Sequence, residues 1–231
     1  MSAMPLRRLV LALLAVALVG AGCGGGSSSQ EDPATALANA QQKLEGTSGV
    51  VLLITTGDLP SGVQGLKSAA GTVTDAPAYD GTLGVVTQIG SVSVPVVSVD
   101  GKVYAKIPLT LGWSEVDPSD YGAPDPAQLL SKDRGVPALL AATTDPRSST
   151  SIRGGSDHKE VLSVYTASVP GSAVSSIIPG ATGTFHATYA LTSDDELRQV
   201  SLTGEFYSGH APNTYTLVLT DYGTSKDISA P

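Results

Sequence analysis

Short apolar runs and two-residue alternation dominate the chain after Gly49, and this pattern predicts strands rather than long helices. Val50–Ile54 is a β-branched run bounded by glycines, and residues 71–108 read as consecutive antiparallel strands. Among them, Asp100-Gly101 joins two alternating segments in the way that a two-residue hairpin turn does. Four further strands are predicted at residues 160–169, 184–191, 196–206 and 213–220.

Helices are predicted where an acidic residue precedes a proline, because the acid caps the helix and proline fits its first turn. Asp32-Pro33 and Asp125-Pro126 have this form, and Pro137 opens another apolar segment. The predicted helices cover Ala34–Leu44, Ala127–Leu130, Ala138–Ala142 and Ser172–Ile178. The pattern therefore predicts an α+β protein with about seven or eight antiparallel strands in one sheet and the helices gathered on one face.

Residues 1–22 are interpreted as an export signal. Arg7 and Arg8 form its positive start, and Leu9–Val19 is an unbroken apolar run. As a helix of about 16 Å, this run is too short for a hydrocarbon core of about 30 Å. We therefore expect an export signal and not a transmembrane anchor.

The segment Gly20–Cys23 resembles a bacterial lipobox, in which the cysteine is diacylglycerated and becomes the new N-terminus. Gly20 departs from this pattern, because a larger apolar residue is usual at that position. Cys23 is thus the predicted lipidation site, with an ordinary secretory signal as the alternative. Residues 23–32 are predicted to be a lipidated, flexible tether rich in Gly and Ser, and residues 33–231 one folded domain.

The negative net charge argues against two kinds of partner, nucleic acids and anionic lipid surfaces. The 231 residues include 13 Lys and Arg against 21 Asp and Glu, a formal net charge of −8 that becomes −10 once Arg7 and Arg8 leave with the signal. Such a chain is not expected to bind nucleic acid or to be drawn to anionic lipids. One Cys excludes a disulfide framework, and three His leave little material for a metal site.

The sequence lacks common catalytic motifs, since neither G-x-S-x-G, a P-loop nor H-E-x-x-H occurs in it. Ser156, Asp157 and His158 keep an envelope hydrolase open as an alternative, but they fall in a polar turn without a recognisable oxyanion hole. Asp194–Glu196 lacks the spaced ligands and glycine of a calcium loop. We predict that the chain is not an enzyme and has no metal or cofactor.

The segments with the most specific order are Ser91–Ala105, Trp113-Ser114, Asp125–Leu130, Gly135 and Leu139-Leu140. In these segments the chain resembles the LppX/LprA/LprF/LprG family of mycobacterial and actinobacterial envelope lipoproteins. The resemblance covers the chain from about Asp32 to its C-terminus.

This resemblance implies a strongly curved antiparallel sheet, a half-barrel, with helices on its concave face enclosing a hydrophobic cavity. It implies that the cavity receives acyl chains of lipids or glycolipids as cargo, and that the protein carries them across the cell envelope, in some members alongside a membrane lipid exporter. The implied location is extracytoplasmic, at the cell membrane through lipidated Cys23. In the family, a bulky residue on the strand that enters the cavity blocks lipid loading, and the matching position is Leu83.

From the residues alone, a solidly packed interior and a cavity both stay open, since a sheet and its helices ordinarily pack without space between them. The predicted interior is mostly small aliphatic, with two Phe and one Trp in the chain, and this composition agrees with the cavity that the resemblance implies. A one-residue slip in strand facing would exchange the predicted lining for its neighbours. A lipoprotein with a filled core that acts as a scaffold in an envelope complex is the other alternative. The predicted lining residues are Val51, Leu53, Leu83, Val85, Ile89, Val92, Val94, Val96, Leu130, Leu139, Leu140 and Leu202.

Overall fold

An antiparallel sheet of twelve strands carries the fold in the computed structural model, which describes residues 31–88, 90–121, 123–155 and 158–231. The predicted export signal, Cys23 and most of the predicted tether lie outside these residues. The strands are β1 (Gly49–Thr56), β2 (Gly65–Thr74), β3 (Ala78–Thr87), β4 (Gly90–Val99), β5 (Lys102–Ala105), β6 (Ser114–Val116), β7 (Thr144–Ser148), β8 (Ile152–Gly154), β9 (Glu160–Pro170), β10 (Thr184–Leu191), β11 (Leu197–Gly204) and β12 (Asn213–Thr220).

The strand order shows an open sheet. It runs β6-β5-β4-β3-β2-β1-β12-β11-β10-β9-β7, with β8 paired to β9 beside this path. The pairing of β1 with β12 joins two meanders, one from each half of the chain. Among the described strands, β6 and β7 stand at opposite ends of the order and do not pair, so the curved sheet stays a half-barrel. The predicted fold class is confirmed.

The helices are short and lie on the concave face. The first, α1 (Pro33–Glu45), is capped by the Asp32 carboxylate, which accepts a hydrogen bond from the Thr35 amide at 3.0 Å. The other helical segments in the described part of the chain are two 3-10 helices and two short α-helices: Pro118–Tyr121, Pro126–Leu130, α2 (Val136–Ala141) and α3 (Gly171–Val174). The segment predicted at residues 127–130 is thus a 3-10 helix, and the one predicted at residues 172–178 ends its α-helical part at Val174.

The prediction of about seven or eight strands was too low. Strands β6, β7 and β8 are short and have weak local signals, and most of β2 lies before residue 71, where the predicted run of strands begins. In β7, Pro146 follows Asp145, which has a φ of 50°, and the pairing with β9 shifts between Thr144 and Arg147. Proline is tolerated there because β7 lies at the edge of the sheet. The polar turn predicted to contain Ser156, Asp157 and His158 was expected to begin at Arg153, but Arg153 and Gly154 belong to β8.

The interior has two unlike halves. Beneath β9–β12 it is filled by aromatic rings: the Phe185 and Phe206 centroids lie 4.7 Å apart, and those of Phe206 and Tyr215 4.6 Å apart, both edge to face. Beneath β2–β5 the inward side chains are mainly valines and alanines. Glu31–Pro231 form one compact unit that holds both halves of this core, so this unit carries what it needs to fold by itself.

Within the described ranges, we find no helix with both the length and the hydropathy needed to cross a bilayer.

Candidate functional site

A cavity of about 460 Å³ lies between the β1–β6 half of the sheet and the segments that cross its concave face. Its volume is in the range of about 300–1,000 Å³ that small-molecule sites occupy. Strands β1–β6 form the wall, and residues 118–129 and 177–179 form the cover. The cavity therefore lies where the filled core ends.

The centre of the wall is Leu83 on β3. Its neighbours across the strands are Ala69 on β2 and Val94 on β4, and both also line the cavity. Because side chains alternate along a strand, Val85 and its partner Val92 continue the same surface. Of the predicted lining residues, the structure brings together Leu83, Val85, Val92, Val94 and Val96.

Two facing glycines leave room for the largest side chain of this wall. Gly71 on β2 pairs with Gly81 on β3, and the Tyr79 ring lies against both. A Cβ on Gly71 would stand 2.8 Å from the Tyr79 ring, closer than real contacts allow. The Tyr79 hydroxyl donates to the Ala70 carbonyl at 3.2 Å, and burial raises the pKa of Tyr79. The ring thus lies flat on the sheet and does not fill the cavity.

The cover is held in place at Asp125. Its carboxylate accepts hydrogen bonds from the Ser98 hydroxyl on β4 at 2.6 Å and from the Ala127 amide at 2.9 Å. The first bond ties the 3-10 helix Pro126–Leu130 to the sheet, and the second caps it. Leu129 of this helix lines the cavity, whereas the predicted Leu130 is half-buried and does not. A single turn of 3-10 helix therefore places the neighbouring leucine inside.

A tyrosine pair fixes the start of β2 beside the cavity. The Tyr215 hydroxyl donates to the Leu66 carbonyl at 2.5 Å, so the Tyr207 hydroxyl donates to Tyr215 at 2.8 Å. Gly65 has no room for a side chain, since a Cβ there would stand 2.8 Å from the Tyr207 hydroxyl oxygen. Burial raises the pKa of Tyr215, and its bond to Tyr207 adds to this. Tyr207 lines the cavity and is the aromatic boundary with the filled half.

Besides Leu130, five predicted lining residues lie elsewhere. On β1 the buried positions are Val50, Leu52 and Ile54, so Val51 is only half-buried and Leu53 is 42% exposed on the opposite face. Side chains alternate between the two faces of a strand, and this run is apolar on both, so the sequence allowed either face to be the inner one. The pairing of β1 with β2 and β12 placed the face that was not predicted inside.

The remaining three belong to the filled half of the interior. Leu139 and Leu140 on α2 and Leu202 on β11 are buried in the core and do not line the cavity. Ile89, predicted at the end of β3, lies outside the described residues.

Sequence reasoning missed the residues that cover the cavity. They come from the proline-rich stretch 118–126 and from Ile177-Ile178-Pro179. The prolines at 118, 124 and 126 signalled an irregular segment, but no local pattern says that such a segment folds over a sheet. Loops that cover a cavity are recognised only once the sheet beneath them is known.

The cavity offers apolar surface and no ionic group. Among the described residues that line it, the polar ones are Gln64, Thr87 and three tyrosines, and none is charged. Such a surface can exclude water from an alkyl chain, but it presents no acid, base or nucleophile pair. His158 is exposed in the turn between β8 and β9, away from the cavity lining, while Ser156 and Asp157 lie outside the described residues.

Comparison with known proteins identifies similar chains. The family model described as LppX_LprAFG lipoprotein matches residues 32–229. No curated protein matches the chain. Among solved structures, LprF from Mycobacterium bovis matches with a TM-score of 0.69 at 15% identity, over 86% of this chain and 96% of that one. Lipoprotein LppX from Mycobacterium tuberculosis matches with a TM-score of 0.61 at 18% identity, over 85% of this chain and 97% of that one. At these identities the two structures establish the shared fold.

Proposed function

The chain belongs to the LppX_LprAFG lipoprotein family, and from this premise we propose that it is a membrane-anchored lipid carrier. It binds the acyl chains of lipids or glycolipids in the cavity and carries them across the cell envelope. Cys23, outside the described residues, is the proposed attachment point of the anchor. The cargo is the ligand, and no cofactor or bond-making step is involved.

The observation that carries this proposal is the uncharged aliphatic cavity beside a filled core. An ordinary α+β interior is packed throughout, because unfilled space forfeits contacts. Here the Leu83, Val94 and Leu129 side chains face open space. An acyl chain would supply the missing contacts.

The energetics suit an alkyl ligand. Removing a chain from water is worth about 0.8 kcal/mol per CH₂, or roughly 13 kcal/mol gross for sixteen carbons. Aliphatic walls provide this stabilisation without directional bonds, so chains of different length and branching fit the same surface. The polar groups that accompany the tails would then remain near the cavity mouth.

The test is the lipid content of the purified protein and of the variant Leu83→Trp. We expect near-stoichiometric lipid, measured by mass spectrometry after purification from an actinobacterial host. We expect Leu83→Trp to lose roughly 80–90% of this lipid, because the indole would occupy the centre of the cavity between Ala69 and Val94.

The matched control is Thr82→Trp, which adds the same side chain one residue away on the exposed face of β3. It should retain the lipid, and circular dichroism should show that both variants are folded. Wild-type protein that is folded yet free of lipid would contradict the carrier, as would equal lipid content in the two variants.

Two other functions receive less support. A scaffold with a filled core does not account for the space beneath Leu83. A hydrolase that uses His158 would act from an exposed turn outside the cavity lining. Ester turnover that disappears in His158→Ala would revive the second.

A further inference from the structure

The loop between β5 and β6 carries three of the seven large hydrophobic side chains that are exposed among the described residues. Leu109 and Leu111 are fully exposed, and Trp113 is 38% exposed. From Ile107 to Ser114 the sequence contains no charged residue. We call residues 107–113 the Leu-Trp loop. Water-exposed leucines in such a group indicate a surface that is covered in use.

The Leu-Trp loop lies at the mouth of the cavity. It begins with Ile107 and Pro108, which line the cavity, and the chain that follows returns to the lining at Val116 and Tyr121. Tyr121 lines the cavity and is also 67% exposed, so the cavity reaches the surface there. Leu109 directly follows the lining residue Pro108, so the exposed part of the loop is continuous in the chain with the cavity lining.

The backbone of the loop is organised to present these leucines. The Thr110 amide and hydroxyl both donate to the Ile107 carbonyl, at 3.2 and 2.8 Å. Leu109 adopts a φ of 70°, a left-handed conformation that leucine rarely takes. The turn thus satisfies the amide and hydroxyl of Thr110 from within, which lowers the cost of moving these two groups into an apolar environment.

We propose that the Leu-Trp loop docks into the interfacial region of a lipid bilayer and so places the cavity mouth at the source or destination of the cargo. This inference rests on the proposed carrier function. Tryptophan and leucine suit the boundary between headgroups and acyl chains, where an amphipathic ring has one wet and one apolar side.

A bilayer fits the loop better than a protein partner does. A stable protein–protein interface buries more than about 1,000 Å² of accessible surface in total, and a loop of seven residues offers too little surface for such an interface. The chain is acidic, with 21 acidic against 13 basic residues, so electrostatics would not draw it to anionic membranes. The remaining way for the loop to contact a bilayer is insertion of its uncharged apolar side chains. Because salt screens only charged groups, this binding should be insensitive to salt.

Trp113 makes the proposal directly measurable, because it is the only tryptophan in the chain. We would titrate the folded unit, residues 31–231, with phosphatidylcholine vesicles and record tryptophan emission. The expected result is a blue shift, with quenching by brominated acyl chains, that persists in high salt. These signals report the position of the loop itself.

The test variant is Leu109→Ser/Leu111→Ser, which removes both exposed leucines and keeps Trp113. We expect its vesicle affinity to fall at least about tenfold, because each buried leucine accounts for a factor of this size or more. The matched control is Ile152→Ser/Val161→Ser, which removes two exposed aliphatic residues from β8 and β9. It should bind vesicles as the wild type does.

Several results would overturn the proposal. They are an unshifted Trp113 emission with vesicles, equal affinity losses in the two double variants, or a loop-dependent dimer in place of vesicle binding. The carrier function is tested apart from this by Leu83→Trp, whose vesicle binding is followed by flotation because it has a second tryptophan. That variant should lose cargo and keep docking. Extractable cargo without docking would remove only the present inference. Docking without cargo would remove the carrier and leave the loop as a bilayer contact alone.

Discussion

At the scale of single residues, the placement of a few aromatic rings decides where the molecule is hollow. The largest fully buried side chains include Tyr189, Tyr215, Phe185 and Phe206, and all four serve the filled half of the interior. Tyr79 is the exception, and the Gly71–Gly81 pair lets it lie against the sheet. The small number of aromatics in the sequence suggested a cavity, but only their positions locate it.

The buried tyrosines predict a loss of stability at alkaline pH. Burial raises the pKa of Tyr79, Tyr189 and Tyr215, so the folded protein keeps protons that the unfolded chain releases above about pH 10. The free energy of unfolding should therefore fall as pH rises above this value, by up to about 1.4 kcal/mol per pH unit for each such tyrosine. Urea unfolding between pH 8 and 11.5 measures this slope.

Tyr79→Phe should make the free energy of unfolding fall less steeply with pH above about pH 10, because it removes one of the buried hydroxyls. The substitution costs only the 3.2 Å hydrogen bond to the Ala70 carbonyl. Tyr121→Phe, at a 67% exposed position, is the control. A stability that stays flat above pH 10, or an equal change in both variants, would contradict the buried state of these hydroxyls.

At the scale of elements, turns and register give the cavity wall its shape. The hairpin between β4 and β5 has φ values of 54° at Asp100 and 72° at Gly101, the left-handed pair that a tight two-residue turn needs. It pairs Val96 with Ala105, and both line the cavity. The turn therefore sets the register of the wall on this side.

Gly101→Ala should destabilise the fold by about 1–2 kcal/mol, because an alanine at this φ is strained although open space surrounds the site. Gly57→Ala is the matched control, since it also faces open space and has no left-handed φ. The control should change stability by less than about 0.5 kcal/mol in urea unfolding. Similar losses in both would show that the turn does not hold this conformation.

At the scale of the whole molecule, the hollow half of the core should be the less stable half until cargo fills it. A ligand that binds only the folded state stabilises it by about 2.7 kcal/mol at one hundred times its Kd. For a domain of this size, that corresponds to a rise in Tm of roughly 5–10 °C.

We therefore expect delipidated protein to unfold at a lower temperature than protein reloaded with a two-chain phospholipid, as measured by calorimetry. The shift should be absent in Leu83→Trp and present in Thr82→Trp, because only the first substitution fills the cavity. A Tm that does not respond to lipid in the wild type would contradict cargo binding in this core.

Much of the fold was predictable because its signals act over a few residues. Strands β10 and β12 have the predicted bounds, and Asp32 caps the first helix as expected. Five of the seven described residues of β3 and β4 that line the cavity were among the predicted lining residues, since the two strands form a hairpin whose alternation is strong. Tyr79 and Thr87 were not among them. Strand β7 was not, because a proline-containing strand gains its partner only from the sheet edge.

The sequence by itself determined most of the strands, the capping of helices by Asp32 and Asp125, and, on strands such as β10 and β12, which alternate positions form the apolar face. These properties follow from local sterics and the two-residue period. Only the tertiary structure decided that Ile54 and not Leu53 faces inward, and that Leu139 and Leu202 fill the core while Leu83 borders open space. Those choices depend on partners far away in the chain, such as Leu217 opposite Ile54, and no local pattern contains them.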